Sequence, residues 1–427
     1  MINEELLHFV WKYRLFDPST LITSDGQAVE VIHPGTHNHD AGPDFFNAKM
    51  KIGETLWAGN VEMHVKASDW NRHGHHQNGA YNNVVLHVVR ENDVPVTTQN
   101  RRIVPAMVLE VSPKLLEKYK ELVASEKWLV CQDVIGQVNP LEISGWLECC
   151  MVSRMEERSL KIGALLAEFN GDWDQVFFIL LARSYGFGTN SEPFELMGRQ
   201  TPFKVLMHHA DSPTQVEAVL LGQAGLLNSL PQDDYQKQLQ REYRFLSNKF
   251  GLNPIEGHLW KFLRLRPMNF PTVRLAQLAA FVIRSRGTWD NIIKQENHQR
   301  VMAELAAPLS GYWESHYLLG EASEMRPKTI GPASRQLILV NAIVPFLFAY
   351  GAHRGNENMK SRALEWLEAL PAEKNRVLEN WKVYGGFSPA NAFEAQALIY
   401  LHRHFCTHKK CLHCRIGLTY LAKKELS

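Results

Sequence analysis

Apolar and polar positions alternate singly in the first quarter of the chain and recur at helical spacing through most of the rest. Residues 4–16 put Leu7, Val10, Trp11 and Phe16 on one face of a helix. Gln27 to His33 then alternates as a strand. Phe45 to Ile52 alternates again, with Phe46, Ala48, Met50 and Ile52 on one face and Asn47, Lys49 and Lys51 on the other. Gly53-Glu54 is a turn, and Leu56 to Lys66 is a third strand. Ser68 to Asn82 is polar and rich in histidine. Val84–Arg90 and Ala106–Val111 are further strands.

After Ser112-Pro113 the pattern changes to a period of 3.6. It predicts helices over 115–126, 141–169, 172–185, 233–250, 272–285, 290–305, 333–350, 358–369, 374–384 and 391–405. Asp172 is placed to cap one of them, and Pro193 and Pro213 stand in the first turns of two more. The expected architecture is α+β: a mixed β-sheet domain over 1–112, a large all-α domain over 113–400, and a Cys/His-rich knuckle over 401–427.

Composition narrows the setting. The 427 residues carry a formal charge of +1, so no global basic field advertises nucleic acid. Basic residues do concentrate locally, over Lys237–Arg266 and Leu401–Ser427. Arg183–Asn190 reads as a helix–helix turn rather than a phosphate-binding loop, and Arg264–Pro267 and Arg284–Arg286 read as salt-bridged positions of the helical domain rather than contacts to a nucleic-acid backbone. The longest apolar stretch, Leu337–Tyr350, is interrupted by Asn341 and Pro345 and reads as a buried helix rather than a membrane span. Six cysteines make no disulfide scaffold, and the opening Met-Ile-Asn-Glu-Glu lacks a signal-peptide layout. A cytoplasmic protein that does not enter a membrane is expected.

The candidate chemistry lies in three places. Asp44 follows a Gly-Pro turn at the head of one strand. Glu62, His64 and Lys66 share a face of the next strand, while Val61, Met63 and Val65 point into the core. Two carboxylates from adjacent strands suit a hard divalent cation such as Mg²⁺ or Mn²⁺, with a base beside them to orient water. Second, eight of the nineteen histidines fall between His33 and His87. His37, His39, His73 and His87 are candidate ligands, and imidazole shifts the preference towards Zn²⁺, Mn²⁺ or Fe²⁺. Third, Cys406, Cys411 and Cys414, with histidines interleaved, have the spacing of a zinc knuckle; with a remote thiol such as Cys131 or Cys149 they suit an iron–sulfur cluster.

Pro43, Asp44, Glu62 and His64 or Lys66, in an α-β-β-β-α-β order, resemble the PD-(D/E)xK nuclease superfamily over residues 1–115. That resemblance implies a restriction-endonuclease-like sheet and metal-dependent hydrolysis of nucleic acid. It makes Glu4 or Glu5 the carboxylate of the first helix and Gln77 to Tyr81 its Gln-x-x-x-Tyr motif. His64 stands where the superfamily has lysine, and Lys66 lies one pleat further. End to end, the chain also resembles an uncharacterised bacterial family, a domain of unknown function. Gly42-Pro43-Asp44-Phe45, Gly59 to His64, Ser68-Asp69-Trp70, Val85 to Val89 and Cys411 to Gly417 carry that likeness.

Three functions therefore stand as expectations. The first is a nuclease using Asp44, Glu62 and His64 or Lys66. The second is a non-catalytic protein that binds nucleic acid or a partner, in which the carboxylates do not converge. The third is a small-molecule metallohydrolase built on at least three converging imidazoles.

Overall fold

The computed structural model describes residues 2–285 and 289–422 of the chain. Arg286 and the last five residues of the expected C-terminal knuckle lie outside the described residues. Two compact units result. One comprises residues 2–146, 380–387 and 401–422, so the sheet, the segment 113–146 and the cysteine-bearing tail belong together; the other comprises 147–379 and 388–400.

The first unit opens with helix α1, Glu4–Lys12. The Asn3 side chain accepts from the Leu6 amide at 3.0 Å, and Glu4 and Glu5 complement the positive end of the helix. Leu6, Leu7, Phe9, Val10 and Trp11 are buried, a wider apolar stripe than the four positions expected. The helix stops at Tyr13, because Arg14 takes a left-handed backbone, so Phe16 packs on the core from a loop.

Strands β1 (Val29–His33), β2 (Thr36–His37), β3 (Phe45–Ile52) and β4 (Thr55–Lys66) follow, then a short helix α2 (Asp69–Arg72), and strands β5 (Val84–Glu91) and β6 (Ala106–Val108). The sheet order is β1-β3-β4-β5-β6, with β2 also on β3. β1–β3 and β3–β4 pair antiparallel, and β4–β5 and β5–β6 pair parallel. Helix α3, Pro113–Ala124, follows, capped by Ser112. The apolar core lies on one face of the sheet, joining Leu6, Leu7 and Val10 of α1 to Val61 and Met63 of β4 and to Leu86 and Val88 of β5. β5 is buried over six successive residues, the mark of a parallel strand covered on both faces.

The expected alternation of β3 fails at its start. Phe45, not Phe46, is fully buried, because the β3–β4 register slips between Phe45 and Ala48. Asn47 takes φ of 56° to absorb the extra residue, the signature of a β-bulge. Beyond it Ala48, Met50 and Ile52 return to the core as expected.

The second unit is built of the predicted helices, with refinements. The span 290–305 divides into Trp289–Ile293 and His298–Glu304, and a small hairpin, His316–Leu318 with Glu321–Ala322, corrects the all-α expectation. Asp172 does cap Trp173–Tyr185, its carboxylate accepting from the Gln175 amide. The apolar stretch around Pro345 forms one helix, Pro332–Arg354, long and apolar enough by length and composition to cross a membrane; 67% of its most apolar window is buried in the protein. A π-turn at Leu339–Ile343 interrupts it, just ahead of the proline that leaves the Asn341 carbonyl without its usual donor. The Arg183–Asn190 segment is a helix–helix turn, where Arg183 pairs with Glu195 and Asn190 Nδ2 donates to the Lys261 carbonyl at 2.9 Å.

The parallel crossover constrains β4 at Gly59. A Cβ there would meet Val85 Cγ1 at 2.4 Å and the Asn83 carbonyl oxygen at 2.7 Å. Gly59→Ala is therefore expected to cost about 1–3 kcal/mol, as overpacking does. Gly136→Ala, whose Cβ meets nothing within 4 Å, should cost far less. Denaturant midpoints of the two variants measure the difference.

Candidate metal centre

Pairing Phe45 with Val61 sets Asp44 opposite Glu62. The two carboxylates are reciprocally held: Glu62 Oε2 accepts from the Asp44 amide at 3.1 Å, and Asp44 Oδ2 accepts from the Met63 amide at 2.8 Å. Glu62 and His64 face away from the apolar core, as their alternation with Val61 and Met63 requires. They are nevertheless not in an open cleft, being 4% and 1% exposed. The segment after β4 covers them. Trp70 and Tyr81 form a second apolar cluster with Val84, Val96 and Val104. Trp70 is pinned by its indole N–H to the Thr97 carbonyl at 3.0 Å, and Tyr81 stacks on His75 at 3.8 Å.

Beneath that cover the imidazoles meet. His64, His73 and His75 each offer one nitrogen, and the three lie within 4.8 Å of one another; among the described residues this is the one group of three or more potential metal donors. Glu62 Oε1 lies 3.0 Å from His75 Nε2 and 3.6 Å from His64 Nε2, and His64 Nε2 lies 3.2 Å from His73 Nδ1. His75 Nε2 is close to Glu62 yet makes no hydrogen bond of acceptable direction. Ligands bonded to one ion at about 2.1 Å stand roughly 3–3.5 Å apart, so His64, His73 and His75 could hold a metal ion, with Glu62 Oε1 beside His64 and His75. His87, level with Glu62 on β5, comes within 2.8 Å of the other nitrogen of His64. It fixes the ring so that His64 Nε2 faces the cluster, the usual task of a residue behind a ligand.

The remaining predicted residues separate. Lys66 sits at the far end of β4, half-exposed and 3.3 Å from Glu91, so its ammonium is engaged away from the cluster. His37 and His39 form their own pair, with ring centroids 4.4 Å apart; His37 stacks on Phe45 and meets His8 edge-on. They flank Asp44 rather than join the trio. Of the two first-helix carboxylates, Glu5 is bound to His413 at 2.7 Å, while Glu4 lines the same small cavity as His8 and His37. Of the Gln77 to Tyr81 pair, only Tyr81 reaches the site. In the tail, Cys406, Cys411 and Cys414 do not form a three-donor group of their own within that 4.8 Å limit.

Two residues of the cluster's neighbourhood lay outside the candidate ligands read from the sequence. His75 carried a signal, lying two positions beyond His73 in a histidine-rich stretch. His8 carried little, being one polar position on an apolar helix; its Nε2 lies 3.3 Å from Asp44 Oδ2.

The site's electrostatics follow from dry burial. Glu62 is pushed well above the usual carboxylate range, first by desolvation and then by the Asp44 charge, against the opposing amide of Asp44. His64 is pushed down to about 2 and His87 to about 4, in both cases first by burial and then by neighbouring imidazoles. His75 is lowered by burial. His8 moves the other way: burial disfavours its charge, but the adjacent Asp44 carboxylate outweighs that.

With this geometry in hand, comparison with known families places the chain. Residues 4–376 match the family described as "Protein of unknown function (DUF2851)", and the chain belongs to that family. No curated protein and no solved structure matches it significantly.

A raised carboxyl favours folding only while it keeps its proton. The cost of Glu62 is therefore absent below its ordinary value of 4.5 and grows as pH rises above it. In protein stripped of metal by a chelator, Glu62→Gln should raise Tm at about pH 8, and the gain should vanish near about pH 4.5. A gain that does not change with pH would contradict this burial account.

Proposed function

We propose that this protein is a metal-dependent hydrolase that cleaves phosphodiester bonds, with nucleic acid as the substrate class. The observation that carries the reading is the convergence of Glu62, His64, His73 and His75 beside Asp44. The sheet supports the phosphodiester assignment: an initial helix, antiparallel strands bearing Asp44 and Glu62, and a crossover to a parallel strand are the order of the nuclease superfamily that the sequence resembles.

Three imidazoles with one carboxylate favour Zn²⁺, Mn²⁺ or Fe²⁺ over Mg²⁺. Such an ion would supply Lewis-acid activation of water and neutralise charge on a phosphoryl oxygen. His64 takes the place of the superfamily's lysine as a ligand rather than a base, and Lys66 has no part in the chemistry. His87 holds the His64 ring. Asp44 orients His8 and favours its protonated form, which makes His8 the proton source for a departing oxygen. The Trp70 and Tyr81 cover keeps water away from all but the His73 side, so that charges inside interact strongly.

A second reading, a metallohydrolase of a small molecule, draws on a cavity of about 250 Å³ lined by Glu4, His8, Lys12, His37 and His413 next to Asp44. Substrate choice separates the two.

Untagged protein reconstituted with Mn²⁺ or Zn²⁺ should cut single- or double-stranded DNA or RNA. Glu62→Ala and His75→Ala should each lower the rate at least about a hundredfold, the scale of a positioned catalytic group, while Lys66→Ala leaves it within about twofold. Cleavage of small phosphate or carboxylate esters alone would move the assignment to the second reading. Equal activity in wild type and both site variants would remove the hydrolase assignment.

A separate prediction concerns acid. His8→Gln should flatten the alkaline limb of the pH–rate profile, because a proton donor with a raised pKa is lost from the reaction as pH climbs. An unchanged profile would exclude His8 as the donor.

A further inference from the structure

The second unit buries a cation without a counter-charge. Arg274 stands in the first turn of the helix Pro271–Arg284 and is only 7% exposed. Among the described residues it makes no ion pair. Neutral oxygens fix its guanidinium instead: Nη1 donates to Gln277 Oε1 at 2.8 Å, and Nη2 to Asn269 Oδ1 at 2.6 Å. Gln277 is itself held, its amide nitrogen donating to the Lys328 carbonyl at 2.7 Å. The Phe187 ring covers the guanidinium, 4.2 Å away at its centroid. The Nε–H of Arg274 is left buried with no hydrogen-bond partner. So is the hydroxyl of Tyr185, a wholly buried side chain two residues before Phe187.

Three unfavourable features meet here. A buried charge without a partner is expensive, and burial pushes Arg274 down to about 10. The cation stands at the positive end of a helix whose start has no side-chain cap. Phe187 takes φ of 44°, a left-handed backbone that bulky residues rarely adopt. Strained positions of this kind cluster where ligands bind. The surrounding sequence is one-sided in charge. Gly257 to Trp289 contains no Asp or Glu, while Lys261, Arg264, Arg266, Arg274, Arg284 and Arg286 are basic. Arg264 and Arg266, expected to be salt-bridged, are exposed and make no ion pair among the described residues.

We propose that Arg274 and Tyr185 form an anion site that takes a phosphate group, with the Arg274 Nε–H and the Tyr185 hydroxyl as its donors. The site shares no residue with the imidazole cluster and does not rest on the hydrolase reading. Gln277 and Asn269 hold the guanidinium plane and leave its Nε edge for the ligand. Phe187 is the cover that yields to it; this ring is half-buried and Asn269 is exposed, so side chains touching the guanidinium reach solvent. A phosphate there compensates the charge and satisfies both donors at once. The acid-free surroundings favour a doubly charged group over a carboxylate. The phosphate belongs either to a free phosphorylated small molecule or to a nucleic-acid strand.

The test uses full-length protein in EDTA, titrated with inorganic phosphate against chloride at equal ionic strength. Calorimetry should show saturable binding, and Tm should rise with phosphate. Tyr185→Phe removes only a hydroxyl that has no partner. Without phosphate its Tm should equal or exceed that of wild type, and it should bind phosphate at least about tenfold more weakly. Arg274→Lys should weaken binding by a similar factor, since an ammonium lacks the fixed Nε–H. A short single-stranded oligonucleotide identifies the source. Displacement of phosphate, with the same dependence on Tyr185, assigns a nucleic-acid strand; failure to displace it assigns a free phosphorylated molecule. Absence of saturable phosphate binding in wild type, or binding undiminished by Tyr185→Phe, overturns the proposal. A lowered Tm of Tyr185→Phe in phosphate-free buffer also overturns it, because the hydroxyl would then serve the fold. Should Arg274→Lys not fold, Tyr185→Phe decides.

Discussion

A carboxylate held dry inside a sheet is the constraint on which the N-terminal architecture turns. Glu62 lies in the middle of β4, under Trp70 and Tyr81, where an unpaired charge would cost far more than a surface ion pair returns. Its surroundings are arranged to meet that cost. The Asp44 amide donates to one oxygen, and His75 and His64 approach the other. Asp44, however, adds a second negative charge across the strand pair. A proton on Glu62 removes one of the two charges.

The bulge at Phe46 and Asn47 belongs to the same logic. Without the extra residue, Asp44 would fall on the other face relative to the strand's apolar set, because strand side chains alternate with a period of two. The slip lets Phe45 fill the core while Asp44 remains beside Glu62. Bulges beside functional sites commonly re-aim a side chain in this way. The parallel step from β4 to β5 then supplies His87 from a strand distant in sequence and level with Glu62.

The histidines sort by what lies behind each ring. His64 is held by His87, and His75 lies against Tyr81, so both are rigid before any ligand arrives. His73 is more exposed, and it forms the open side of the cluster. Pre-organisation of ligands by residues behind them lowers the ordering cost of binding.

Much of this was legible in the chain, and the failures have a common cause. The periodicities placed the strands and most of the helices, because one buried face imposes its period on the sequence, and the alternation of Val61 to His64 assigned each side chain to the correct face. The Asp44–Glu62 pairing and the histidine density pointed to the neighbourhood where the structure brings Glu62, His64, His73 and His75 together. What the residues could not carry was long-range placement. His8 joins Asp44 only through packing of α1 on the sheet. Lys66 shares the face of His64, yet Glu91 engages it at the strand end. Leu412 and Val130 meet only because both pack on the one sheet core. Local pattern is written by a residue's own burial, whereas convergence depends on register, on a bulge and on docking between segments hundreds of residues apart, which only the folded chain decides.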